Sequence, residues 1–432
     1  MSSLSPINPT DNPPAKNLRL NWLALLIGLT LIRGLLYLTI FPPFLAPDES
    51  AHFEAIRLIG QENKWPTADV YAVTPMHPDM VATFENFRLW HLVGLYSPTR
   101  NLGVTDTLFI NYYPTQIAGS EVIADAYLMF YHQLLAPLSG AMASFDLTSQ
   151  VYGLRSVSVL FAAGSISVAW LTLRALFPND EKLALAVGAF IVFWPMHTHV
   201  TASITVDALT ELLASIFFMA IVRIYLQGIT IRWGVVLLGA MFLAMLTKPT
   251  AFFLLPTLIA AILVYLGRYH LTRLARYTLP ALGVMVIAVL VASIVLHQNS
   301  EGGRRISSIL LDGLIIPNWA TYFSKVALNN YISALNFAVL SFAGLFGWSN
   351  IHIPWAWVKI WALIFGAVSL GGLIFIYRQL IRPQNAKGWL SKTQHDVLII
   401  FLLSLIFSWI GVITPIIATQ SPSWGIHSRY YF

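Results

Sequence analysis

The sequence predicts an all-α polytopic membrane protein with about nine transmembrane helices and a long first outer loop containing amphipathic helices. Three observations carry this. Of the 432 residues, 57% are hydrophobic and only 10% charged, with a mean hydropathy of +0.69. A soluble domain carries about a quarter charged residues, because its surface must be solvated. Nine stretches are apolar over the roughly 20 residues a helix needs to cross about 30 Å of hydrocarbon. Finally, the basic residues gather in alternate connecting segments.

Taken in order, the apolar stretches lie near 20–42, 152–176, 183–201, 205–226, 232–248, 250–267, 277–297, 355–377 and 396–417. Residues 1–19 are polar and rich in Pro and Asn, unlike a cleaved signal peptide. They are expected to form a disordered cytoplasmic tail ahead of a retained anchor at 20–42. Residues 43–150 make a long outer loop domain. Helices two to seven follow within 151–297, and 298–354 is a second outer excursion. Helices eight and nine occupy 355–417, and 418–432 is an outer C-terminal segment. Residues 331–350 could span, but a crossing there would put Arg378 to Lys392 outside. A re-entrant or interfacial helix is expected instead, with Trp348, Trp355 and Trp357 at headgroup depth.

Lys and Arg favour the cytoplasmic side of short loops. With the N-terminus inside, the inner segments hold 13 of the 25 basic residues against four acids, Asp11, Asp180, Glu181 and Asp396. The outer segment 43–150 carries eleven acids and four basic residues. The net charge of +6 is therefore topological and is not a nucleic-acid face. Cysteine is absent, which excludes disulfides, thiolate metal sites and a Cys nucleophile. No Gly-rich phosphate loop or nucleotide fingerprint is present.

Ionisable groups near membrane depth are costly and mark function. In this topology they collect on the outer face. Pro42 and Pro43 end the first span, and Asp48 takes the N-cap position of a new helix. Asp48 and His52 are four apart and share a face, with Glu49 beside them. Such a set can take a proton from a hydroxyl or hold a divalent cation; the alternative is a capped, solvated juxtamembrane helix. His197 and His199 are spaced by two, so they share a metal only if the helix breaks, which Pro195 permits. Asp207 begins the fourth span as a cap or a site acid. Lys248, in a tight turn before Pro249, can pair with phosphate or with an outer carboxylate. Arg304 and Arg305 follow Glu301, Gly302 and Gly303 in a loop that clamps a pyrophosphate or a lipid headgroup, or is simply solvated. Residues 117–138, with Glu121 and Asp125, read as an amphipathic helix on the outer leaflet or as an ordinary packing helix.

The order of these pieces resembles the GT-C glycosyltransferases, and within them a bacterial group of membrane proteins of unassigned function. The resembling segments run Pro47 to Phe53, Thr201 to Leu209, Leu246 to Pro249, Ser341 to Trp348 and Ser428 to Phe432. They are short, and spread over nearly the whole chain. The resemblance implies transfer of a sugar from a polyprenyl-phosphate carrier to a glycan, lipid or protein acceptor, with inversion, at the outer face of the cytoplasmic membrane. That would be an enzyme of cell-envelope polysaccharide biosynthesis. It implies Asp48 as catalytic base or metal-associated carboxylate, with Glu49 beside it. His52, Asp207, Lys248, Arg304, Arg305 and Arg429 are then substrate-binding. A divalent cation, Mg or Mn, is left open, with Asp48, Glu49, His197 and His199 as candidate ligands. Two departures stand out. The segment from Tyr127 through Tyr131 and His132 lacks the prolines of the family's late first-loop motif, and the chain stops at Phe432, where relatives continue into further spans, so a truncated chain is expected. A transporter or lipid-linked-sugar flippase is the alternative function; it predicts midplane charges and broken helices in repeated positions.

Overall fold

The computed structural model describes residues 21–67, 70, 74, 77–87, 130–269, 344–346, 351–377 and 390–408. The expected tail 1–19, the span 277–297, residues 117–129, Arg304, Arg305, Trp348 and Arg429 lie outside the described residues, as do most of 331–350 and the end of 396–417.

Helix α1 (Trp22–Ile40) starts where the Asn21 side chain accepts the Ala24 N–H at 3.3 Å, satisfying one of the orphan donors of the first turn. It stops at Phe41, which precedes a proline and is extended, as the clash with the next ring requires. Then come α2 (Glu49–Gln61), α3 (Pro78–Asn86) and α4 (Phe130–Ala141). Helix α5 (Leu147–Leu176) is capped by Asp146, which accepts from Ser149 N–H at 3.0 Å. Its 30 residues make it about 45 Å long, so one end projects past a hydrocarbon core of about 30 Å.

The expected third span is broken. Helices α6 (Glu181–Phe193) and α7 (Pro195–Thr201) meet at a 65° bend, because Pro195 has no N–H to continue the ladder. Helix α8 (Val206–Gln227) ends on Gly228 at φ 85°, a left-handed stop that suits glycine. Helix α9 (Ile231–Thr247) leads through a 3-10 turn (Pro249–Phe253) into α10 (Leu254–Tyr269). Two short strands follow, β1 (Leu345–Phe346) and β2 (Ile351–His352), paired antiparallel with Leu345 opposite His352. The helix expected over 331–350 is thus corrected at 345–346, where the backbone pairs as a hairpin. Helices α11 (Trp355–Ile376) and α12 (Lys392–Ser408) complete the described chain.

Among the described residues five helices are long and apolar enough to cross a membrane, or six if the bent pair is one span. This is a multi-pass membrane architecture by length and composition. Helix α9, at 17 residues, is apolar but shorter. Helix α5 packs between α1 and α8, and α8 packs on α9. Close approach needs glycine: a β-carbon on Gly34 would lie 2.5 Å from Val159 Cγ1, and one on Gly140 would lie 2.7 Å from the Gly60 carbonyl oxygen. The second contact locks α2 onto α4. All residues from Glu49 to Leu58 are buried, so α2 is an internal helix and the solvated juxtamembrane alternative is set aside. Likewise α4 buries Tyr131, His132, Leu135, Ala136 and Ser139. The described part of 117–138 is a packing helix.

The short turns put the ends of α1, α7 and α9 and the starts of α2, α5, α8 and α10 at one end of the bundle. The other end holds the turns 177–180 and 228–230 and the start of α12, whose Gln394 donates to the Leu176 carbonyl at 2.8 Å.

Candidate functional site

Between α1 and α2 the chain reverses through residues 41–48, and two non-glycine residues there adopt positive φ: Phe44 at 66° and Asp48 at 60°. Asp tolerates the left-handed region; a bulky aromatic does so rarely. Each such residue costs on the order of 1–3 kcal/mol, offset only by surroundings that over-determine it. For Phe44 those surroundings are visible. Its N–H donates to Glu49 Oε2 at 2.9 Å, and its ring packs edge-on against Phe53 and Phe84 at 5.4 and 5.6 Å. Asp48 does stand at the N-cap of α2, with its carbonyl accepting His52 N–H at 2.9 Å. Its carboxylate makes no capping hydrogen bond, and the residue is half-buried.

Glu49 points the other way, into the protein. It is fully buried and faces Arg155 of α5, itself 1% exposed. Arg155 Nε donates to Glu49 Oε1 and Nη2 to Oε2, both at 2.7 Å. Nη1 donates to the carbonyls of Leu38 and Phe41 at 2.8 and 2.7 Å, and Nη2 to that of Pro42 at 2.8 Å. One guanidinium thereby satisfies the orphan carbonyls at the end of α1 and forks onto a carboxylate. Glu49 also accepts the Ile204 N–H at 3.0 Å, which ties in the loop before α8. With Arg155 and two backbone donors on its oxygens, Glu49 is built as an anchor. Sequence reasoning missed Arg155. The available signal was an arginine well inside a 30-residue helix, away from its basic last turn at Arg174.

His52, the expected partner of Asp48, forms a buried imidazole pair instead: its Nδ1 lies 3.0 Å from His132 Nε2. Burial, and then the neighbouring His52, hold His132 well below the usual imidazole range. Next to it Tyr131 is buried with its hydroxyl 3.4 Å from Ser158 Oγ. Burial, Glu49 and Asp207 push that phenol up against the opposing pull of Ser158 and the Thr205 backbone. Tyr131 therefore stands where the Glu49 anchor and the Asp207 region meet.

Asp207 and Lys248 are brought together as a buried ion pair, Nζ to Oδ1. This is the carboxylate alternative read for Lys248 from the sequence. Thr205 Oγ1 donates to Asp207 Oδ2 at 3.2 Å and accepts the Asp207 N–H at 3.2 Å, so the helix is capped by Thr205 and Asp207 sits in its first turn. One turn along α8, Glu211 meets His197 Nε2 at 3.0 Å. His199 leaves in another direction, its ring 4.5 Å from Phe41 and 5.2 Å from Phe346. The break precedes both histidines, so they stay on one short helix at a spacing of two and diverge. Among the described residues no three of His, Asp or Glu gather as a metal site. Asp48, Glu49, His197 and His199 do not converge on one ion.

The structure thus joins Glu49, Tyr131, Arg155, Asp207 and Lys248 in one buried polar seam beneath the Asp48 turn, with the His52 pair alongside. No family model, curated protein or solved structure matches the chain.

Proposed function

We propose that this protein is an integral membrane glycosyltransferase of the GT-C type, transferring a sugar from a polyprenyl-phosphate carrier at the membrane face where the Asp48 turn lies. Under the positive-inside rule that face is the outer one. One observation carries the reading. Asp48 is a half-buried residue in a left-handed conformation, on a turn whose neighbour Glu49 is clamped by a five-bonded arginine. Strain held in place by a rigid frame clusters at functional sites.

In this reading Asp48 accepts the proton of the acceptor hydroxyl. The oxygen attacks the anomeric carbon, the bond from that carbon to the phosphate oxygen breaks, and the phosphate leaves with the electron pair, inverting the centre. The Lys248 ammonium is engaged by Asp207, so the charge developing on the phosphate falls to the arginines. Arg304, Arg305 and Arg429 keep the role the resemblance gives them, outside the described residues. Glu49 is a positioning group, and no step is routed through a divalent cation. Transfer of radiolabelled sugar in membranes carrying Asp48→Asn tests the assignment; full activity in that variant removes Asp48 from the chemistry.

A second reading, a transporter or lipid-linked-sugar flippase, is favoured by one feature. The broken span places His197, paired with Glu211, beside a helix break, and interrupted helices near ionisable groups are common in transporters. Movement of a labelled polyprenyl-phosphate sugar across vesicles without transfer distinguishes it.

A further inference from the structure

At the end of the bundle away from Asp48, the α8–α9 hairpin delivers two arginines to one indole. Arg223 Cζ lies 5.9 Å from the centre of the Trp233 ring and Arg232 Cζ lies 5.2 Å from it. The indole is fixed in turn, its Nε1 donating to Gln227 Oε1 at 3.0 Å. Stacking orients a guanidinium and leaves its in-plane donors unused. Among the described residues neither arginine forms an ion pair, and Arg223 Nε is buried with no hydrogen-bond partner. The described acids of this end are Asp180, Glu181 and Asp396, and Asp180 is occupied in capping Leu183 N–H at 3.0 Å. Around the pair Leu226, Ile229, Ile231 and Val235 are exposed, Ile231 to 88%. On so apolar a hairpin those exposed side chains suit lipid tails, and an indole between two arginines suits headgroup depth.

An unpartnered guanidinium donor at that depth suits an oxyanion acceptor. We propose that Arg223 and Arg232, ordered by Trp233, form a binding site for the phosphate of an anionic phospholipid. Two cations on one indole favour a headgroup of net negative charge over a zwitterion, whose own cation they repel. The shared chemistry with a soluble phosphate is the oxyanion; the exposed apolar flank is what favours a lipid. This site is independent of the glycosyl-transfer reading.

The test uses the full chain purified in a neutral detergent, with thermal unfolding followed on adding dioctanoyl-phosphatidylglycerol, dioctanoyl-phosphatidylcholine or inorganic phosphate. Phosphatidylglycerol is expected to raise the midpoint of the wild type, and the other two at equal concentration to leave it unchanged. The pair Arg223→Ala with Arg232→Ala is expected to need about tenfold more phosphatidylglycerol for the same rise. Arg174→Ala with Lys182→Ala, which removes two charges from the same end, is expected to respond like the wild type. If the double alanine variant does not fold, Arg232→Gln, at an exposed position, carries the same test with a smaller loss. An unchanged response in the Arg223/Arg232 variants overturns the site. An equal loss in the Arg174/Lys182 control reduces it to general charge, and an equal response to inorganic phosphate overturns the lipid assignment.

Discussion

Replacing Arg155 by Met keeps most of the side-chain volume and removes the guanidinium. The structure says what is then stranded. Three carbonyls at the end of α1 lose their donor, at about 1 kcal/mol each, and Glu49 is left as a fully buried carboxylate without a counter-charge. Breaking one side of a buried pair costs about 3–5 kcal/mol, a large part of a total stability of about 5–15 kcal/mol. The two estimates overlap, because both follow from losing the same guanidinium; about 3–5 kcal/mol is the working figure. Glu49→Gln in the same background removes the stranded charge and is expected to recover at least about 1 kcal/mol. Detergent-solubilised unfolding across the four-member cycle measures this. A wild-type-like midpoint for Arg155→Met, or a cycle that is strictly additive, would refute the anchor.

Further outcomes follow from the same contacts. His132 is held below the usual imidazole value of about 6.5 by burial and by His52, so the folded state stays neutral while the unfolded state protonates. Stability is fully present above that value and is lost as pH falls below it, by about 1.4 kcal/mol per unit for one group; melting at pH 7.5 and 5.5 shows a drop that His132→Asn reduces. The Glu62 carboxyl, burial notwithstanding, is drawn down by Lys64 and Arg57, and its loss comes separately, in the acid range below its ordinary value. Gly60→Ala drives a β-carbon into the Ala136 carbonyl and costs about 1–3 kcal/mol, whereas Gly28→Ala meets nothing within 4 Å and leaves the midpoint within about 0.5 kcal/mol; equal melts for the two contradict the α2–α4 contact. Asp207→Asn strands Lys248 and destabilises by about 3–5 kcal/mol, and adding Lys248→Met restores part of it in the same melt.

The fold was legible where physics is local. Apolar runs located α1, α5, α8, α10 and α11. Pro195 was read as permitting a break, and the bend sits there. Asp48 was read as an N-cap, and it stands at that position. Its left-handed φ was not legible, since a residue's place in the sequence does not give its dihedral. Asp48 and Glu49 looked like a pair of reacting acids because they are adjacent, yet the turn sends Glu49 inward to a partner 106 residues away. Contacts of that span have no periodicity to betray them, which is why Arg155 passed as one cation in an apolar run. Lys248 was read with two possible partners, and only packing selected Asp207.

The central claim is that the Asp48 carboxylate is the reacting base above a fixed frame. Membranes expressing the wild type, Asp48→Asn and Asp48→Glu, at matched levels and melting points, are to be supplied with a labelled polyprenyl-phosphate sugar and assayed for label in acceptor. A loss of about a hundredfold or more is expected for the amide and a partial return for the glutamate, with donor affinity unchanged. Transfer undiminished in Asp48→Asn would contradict it.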